Sequence, residues 1–201
     1  MSRGVLILAA CYDASTLYTY DWAKALHERL LRQRVVAVML RAETVCHASA
    51  ALQDCIDRSE HVVFLGHGAR DSWTGLPQGQ ATASRAVIDT TRTAVLSGRK
   101  AYANCCHSFV GFSLAHNDDY VGYDDEFSFE AKNHEKFRDV VVNSVVDYVT
   151  GSSAVVVAKN LQTLWDRLKT DFLPGGQYAR LPNSTVAAWH ADMNAQRVQG
   201  K

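Results

Sequence analysis

Several features that mark large functional classes are missing from this sequence of 201 residues. There is no excess of one charge: Lys+Arg and Asp+Glu both total 21, so the formal net charge is zero. Such a chain has no general attraction for polyanions, and neither a nucleic-acid nor a membrane partner is expected. Long apolar runs are absent too. Val35 to Leu40 and Val155 to Ala158 fall far short of the roughly 20 residues a helical span needs. The N-terminus carries one Arg and a strand-like run without a small-residue cleavage site, which does not read as a signal peptide. A disulfide framework is not legible: Cys11, Cys46, Cys55, Cys105 and Cys106 are odd in number and two are adjacent. They read as reduced, mostly buried thiols of a cytoplasmic protein. No repeat, low-complexity tract or linker divides the chain. With 47% hydrophobic and 21% charged residues, positions 1–201 are expected to form one domain around one core.

What is present is alternation. Gly4 to Ala10 is a continuous apolar run, suited to a strand buried on both faces. After the polar stretch Tyr12 to Tyr20, Trp22, Leu26 and Leu30 recur at helical spacing. Val35 to Leu40 reads as a second strand, Val45 to Ile56 as a helix, and His61 to Leu65 as a third strand. Residues 68–83 hold three glycines and one proline without a period and read as a long loop, a common place for function. Val87, Thr91, Ala94 and Val95 predict a helix ending near Gly98. A fourth strand is expected at Lys100 to Asn104, a short helix at 108–116, and a fifth strand at Tyr120 to Tyr123. Two helices follow, one carrying Phe137, Val141, Val145 and Tyr148, the other Leu161 to Phe172. Thr185 to Trp189 is expected as the sixth strand, and the polar tail from Asn194 as frayed. The fold class expected is α/β: a three-layer sandwich with a mostly parallel six-stranded sheet. Ligands of such sheets bind beyond the carboxyl ends of the strands, where Cys11, His67, Cys106 and Asp124 all fall.

Two segments end apolar strands on reactive side chains. Val62-Val63-Phe64-Leu65-Gly66-His67-Gly68 delivers a histidine, and Ala101-Tyr102-Ala103-Asn104-Cys105-Cys106-His107-Ser108 delivers a thiol. On neighbouring parallel strands these would form a nucleophile–base pair. Cys106 would attack a carbonyl, and His67, able to exchange protons near neutral pH, would serve as acid and base. The Gly68 and Cys106 N–H groups would hold the oxyanion. Alternation along a strand turns Cys105 and Cys106 opposite ways, so only one faces His67. This chemistry requires no cofactor and no metal. A Cys105-Cys106-His107 metal site is disfavoured because adjacent ligands chelate poorly and no CxxC or HxxxH accompanies them.

The order strand–His-Gly, helix, strand–Cys resembles the caspase-like cysteine peptidases of clan CD, whose histidine precedes the cysteine by roughly 50 residues in caspases; here the separation is 39 (106 − 67). The bacterial CHAT type is the nearest likeness. Its opening strand is similar to Val5 to Ala10, its nucleophile segment to Asn104-Cys105-Cys106-His107-Ser108, and its following stretch to Gly111 to Ala115 and Tyr120 to Tyr123. The resemblance implies a caspase-like fold over residues 1–201 and a cysteine endopeptidase acting through His67 and Cys106. It selects Cys106 over Cys105 as nucleophile by register. It also implies a protein or peptide substrate, an activating sensor or regulatory partner, and a role in bacterial defence or programmed death. Asp124, Asp125 and Glu126 read first as a solvated turn and alternatively as an acidic pocket selecting a basic residue before the scissile bond. Asp13 would share that role, since family pockets draw on the same strand end, and against it Asn104 stands where metacaspases carry Asp. Arg41 or Arg70 would instead select an acidic one. The Gln-Ala-Cys-Arg-Gly signature of mammalian caspases is absent.

Two other readings stay open. Leu65-Gly66-His67-Gly68-Ala69-Arg70-Asp71 resembles a Gly-His-Gly-Ser-Arg-Asp stretch of small cobaltochelatases, which implies tetrapyrrole metal insertion; there the motif follows the first strand rather than the third. The third reading is a catalytically silent caspase-like binding module.

Overall fold

The computed structural model describes residues 4–45, 50–76, 86–115, 119–127, 129, 131–172, 175–176 and 198–200. The main sheet runs β2-β1-β3-β7-β8-β9, with β1 at Gly4–Ala9, β2 at Ala37–Arg41, β3 at Ser59–Leu65, β7 at Lys100–Asn104, β8 at Tyr120–Tyr123 and β9 at Val198–Gly200. Neighbours pair in parallel as far as β8, and β9 closes that edge antiparallel. The architecture is therefore α/β with a mostly parallel sheet.

The unbroken apolar run of β1 reflects burial on both faces. Val5, Ile7 and Ala9 enter one core with α1 (Ala14–Arg32), α4 (His134–Val149) and α5 (Ala154–Phe172). Leu6, Leu8 and Ala10 enter a second core with α2 (Ala50–Asp57) and α3 (Ser108–Ala115). Each face thus buries every second residue, as the two-residue period of a strand demands.

Between β3 and β7 lies a small antiparallel sheet of β4 (His67–Ala69), β5 (Ser72–Thr74) and β6 (Ala86–Asp89). An aromatic stack pins it down. The Trp73 ring stacks on Phe64 of β3 at 5.2 Å and on Phe112 of α3 at 5.2 Å, and Phe112 stacks on Tyr120 at 6.2 Å. Burying such large apolar rings fixes the hairpin against the sheet. Gly111 sits where a side chain would strike the Arg70 carbonyl, so α3 and the hairpin turn touch backbone to backbone.

Four sequence expectations need correction. Residues 67–74 form a β-hairpin rather than an open loop. The segment expected as a helix at 87–95 is a strand, Ala86–Asp89, and a short 3-10 turn, Thr93–Leu96; Val87 and Ile88 are consecutive buried residues because β6 packs on β5 over the core. The first helix starts at Ala14, inside the stretch read as polar, because Asp13 caps it. The tail, expected as frayed from Asn194, contributes β9 at Val198–Gly200. The strand expected at Thr185 to Trp189 lies outside the described residues.

Candidate active site

The register Leu65↔Asn104 brings the ends of β3 and β7 side by side. The chain continues from β3 through Gly66 into His67, and from β7 through Cys105 into Cys106. Both His67 and Cys106 line one cavity of about 420 Å³ beyond the carboxyl edge of the sheet.

Cys106 sits in a tightly held turn. His107 has φ 51°, a left-handed conformation uncommon outside glycine and a mark of locally imposed backbone geometry. The His107 N–H donates to the Asp125 carbonyl at 2.9 Å. Ser108, wholly buried, donates from its hydroxyl to the Ala103 carbonyl at 3.1 Å and accepts from the Tyr123 N–H at 3.1 Å. Tyr120 donates to the Ser108 carbonyl at 2.6 Å. These bonds lock the turn to β7 and β8. The Cys106 Sγ accepts from the Phe127 N–H at 3.4 Å and faces the Phe127 carbonyl at 3.7 Å. Burial pushes its thiol pKa up; the Phe127 amide opposes this, and the nearby Glu126 and Asp125 carboxylates add to it. The shift favours the thiol over the thiolate at Cys106.

His67 is oriented by Asp13. Its Nε2 lies 2.9 Å from Asp13 Oδ2, with the two side chains 44% and 41% exposed, open enough to meet a substrate. Asp13 is itself fixed by a capping box: Oδ1 accepts from the Thr16 N–H at 2.8 Å, and Thr16 Oγ1 accepts from the Asp13 N–H at 2.9 Å. Burial pulls the Asp13 carboxyl up, but the Thr16 amide and hydroxyl together with His67 outweigh it and hold it below the ordinary range. A carboxylate accepting from Nε2–H leaves Nδ1 as the ring's proton acceptor.

Gly68 has a steric role. A Cβ there would lie 2.5 Å from Cys105 Sγ and 2.9 Å from the Cys106 carbonyl. Only glycine lets the hairpin approach the Cys106 turn this closely. Gly68 opposes Trp73 in a hairpin whose two-residue turn closes on Ala69 and Ser72. Ladder alternation puts Gly68 at a non-hydrogen-bonded position, so its N–H turns away from β5.

The remaining sequence candidates separate. Cys105 is buried in the second core with its pKa raised by burial, whereas Cys106 borders the cavity. Asn104 is fully buried, and neither carboxamide atom has a hydrogen-bond partner. Asp124 and Asp125 are half-buried beside the Cys106 turn, and Asp125 Oδ1 accepts from the Glu126 N–H at 2.9 Å. Cys11 is tied by its N–H to Glu43 at 2.7 Å. Among the described residues no three His, Cys, Asp or Glu side chains converge as a metal site. No helix among them is long and apolar enough to cross a membrane.

Sequence reasoning missed the cavity wall, formed by Tyr18, Phe127 and Phe129, and the fastener Thr16. An Asp-x-x-Thr spacing before the helix was a visible signal for Thr16; the aromatic wall left none, because its members come from separate elements. No model of a known protein family matches this chain, and no curated protein matches it.

Proposed function

We propose that this chain is a cysteine endopeptidase of the caspase-like type, acting on a protein or peptide through Cys106 and His67. The observation that carries this reading is the shared cavity: a thiol and an Asp-oriented imidazole border one opening at the ends of two adjacent parallel strands. Substrate would lie between them. Cys106 Sγ attacks the scissile carbonyl carbon while its proton passes to His67 Nδ1. The Gly68 and Cys106 N–H groups receive the developing oxyanion. Collapse of the tetrahedral adduct breaks the C–N bond, and His67 returns the proton to the leaving amine, which leaves a thioester on Cys106. Water then attacks the thioester carbonyl, giving one proton to His67. The thiolate leaves and takes the proton back, restoring the thiol. Asp13 orients the imidazole throughout.

The raised Cys106 pKa fits this order of events, since deprotonation accompanies attack instead of preceding it. Caspase-like topology and a role in bacterial defence or programmed death, activated by a sensor or regulatory partner, are the family-level extensions of the proposal. The test is covalent labelling with a panel of peptidyl acyloxymethyl ketones, followed by mass mapping. Adducts on Cys106 that vanish in Cys106→Ala and fall sharply in His67→Ala support the reading. Labelling spread evenly over the free cysteines, or untouched by His67→Ala, overturns it.

A further inference from the structure

We infer that the cavity beside Cys106 takes an uncharged, apolar side chain of the substrate, of leucine, methionine or phenylalanine type, rather than a basic or acidic one. This deepens the peptidase reading and rests on it.

Three aromatic residues form the wall. Tyr18 and Phe129 meet edge to face at 5.6 Å, and Phe127 lies 6.3 Å from Phe129. The wall is backed by the first core, with Trp22 at 4.8 Å from Phe129 and Trp165 at 6.0 Å from Phe127. It is therefore set before any ligand arrives. Small residues also line the cavity, among them Ala14, Ser15 and Ala131. Apart from His67, no titratable acid or base among the described residues lines the cavity other than Cys106 and the Tyr18 phenol.

The polar atoms that do border it are largely engaged. Thr16 Oγ1 serves the capping box, and Thr19 Oγ1 donates to the Thr16 carbonyl at 3.1 Å. A charged side chain entering here would give up water without a charged partner in the wall. The groups expected to select a basic residue are placed elsewhere. Both Asp13 oxygens are occupied, Oδ1 by Thr16 and Oδ2 by His67. Asn104 is buried, and Asp124 and Asp125 do not line the cavity. An acidic side chain would find no Lys or Arg to pair with among the described residues of the lining. An apolar side chain loses nothing on entry and covers the three rings.

The experiment compares acyloxymethyl ketones that differ only in the residue before the electrophile: Leu, Met, Phe, Lys, Arg and Asp. Inactivation rate and Cys106 adduct mass are read together, on the wild type and on Ser15→Asp. Aspartate in the first turn suits the helix dipole and puts a carboxylate at the cavity. The wild type is expected to react with the apolar probes at least tenfold faster than with Lys, Arg or Asp probes, and Ser15→Asp is expected to move the preference toward Lys. Fastest reaction with Lys, Arg or Asp on the wild type, or equal rates for all six, overturns the specificity and leaves the peptidase standing. Failure of every probe to modify Cys106 in the folded protein overturns both.

Discussion

Each edge of the central sheet carries a histidine, an ion pair and a cavity, yet the two are built for different ends. At the carboxyl edge, His67 pairs with Asp13 beside a cavity of about 420 Å³ that also exposes a thiol. At the amino edge, His61 lines a cavity of about 310 Å³ with Lys100, which pairs with Asp119 at 3.4 Å. His61 is only 5% exposed, its ring stands edge-on to Tyr148 at 5.6 Å, and burial depresses its pKa. Tyr148 donates to the Asp119 carbonyl at 2.7 Å, and Asp119 Oδ1 accepts from the Ala154 N–H at 2.7 Å. These contacts tie α4 and the start of α5 to the sheet. Titratable residues alone therefore do not make a site. The carboxyl edge differs in offering an exposed imidazole, a thiol in a turn with one left-handed residue, and an apolar wall.

The largest expected effect tests whether the nucleophile is one cysteine of the adjacent pair. Cys106→Ala should lower peptidase turnover by roughly 10⁴-fold or more. Cys105→Ala should leave turnover within a few-fold and cost about 1 kcal/mol of stability, because its sulfur packs under Gly68 in the core. Turnover and denaturant midpoints measured on both variants decide it, and the reverse pattern would move the nucleophile to Cys105.

Next in size is the Asp13–His67 pair. Asp13→Asn keeps the cap, since its carboxamide oxygen can still accept from the Thr16 N–H. That requirement turns the NH₂ group toward His67 Nε2. The imidazole must then accept at Nε2 and carry its proton on Nδ1, where it cannot take one from the thiol. Turnover should fall by about 10²-fold with little loss of stability. Asp13→Ala should be more active than Asp13→Asn yet less stable, because it frees the ring but loses the cap. A structural role alone would give the opposite order of activities.

The amino edge predicts a stability effect without a catalytic one. His61 is held neutral in the folded state, so the unfolded chain takes up the proton first as pH falls. Its contribution is fully present above the unfolded value of ~6.5 and is lost as pH drops below that toward the depressed folded value. Thermal midpoints of the wild type should decline between pH 7 and pH 5. His61→Phe should flatten that decline and leave turnover at pH 7 within about twofold. A decline of the same steepness in the variant would assign it to other groups.

The parallel strands were legible because burial on both faces writes itself as continuous apolar runs. Lys100–Asn104 and Tyr120–Tyr123 lie where their sequences place them. His67 and Cys106 were legible as the residues just past such runs. The hairpin was not, since its strands are three residues each and its fixing contact, Trp73 between Phe64 and Phe112, joins residues distant in sequence. Strand β6 read as a helix because Val87, Thr91, Ala94 and Val95 mimic a helical stripe, and only pairing with β5 makes it extended. Asp13 was visible as a strand-end acid, but whether it faces substrate or imidazole depends on the helix cap that fixes its rotamer.

The smallest expected effect concerns the acids beside the sulfur. Glu126 is exposed and raises the Cys106 pKa by its charge, behind the larger effect of burial. Because the shift favours the thiol, alkylation by iodoacetamide should still be climbing with pH beyond ~8.5, the ordinary cysteine value. Glu126→Gln removes one charge and leaves burial untouched, so the profile should shift to lower pH by only a fraction of a unit. At neutral pH that is a rate gain of about twofold, as expected for a screened, exposed charge. The same substitution should leave the ranking of apolar over charged probes unchanged, since Glu126 does not line the cavity. A Lys preference in the wild type that collapses in Glu126→Gln would instead make this rim, and not the aromatic wall, the determinant of specificity.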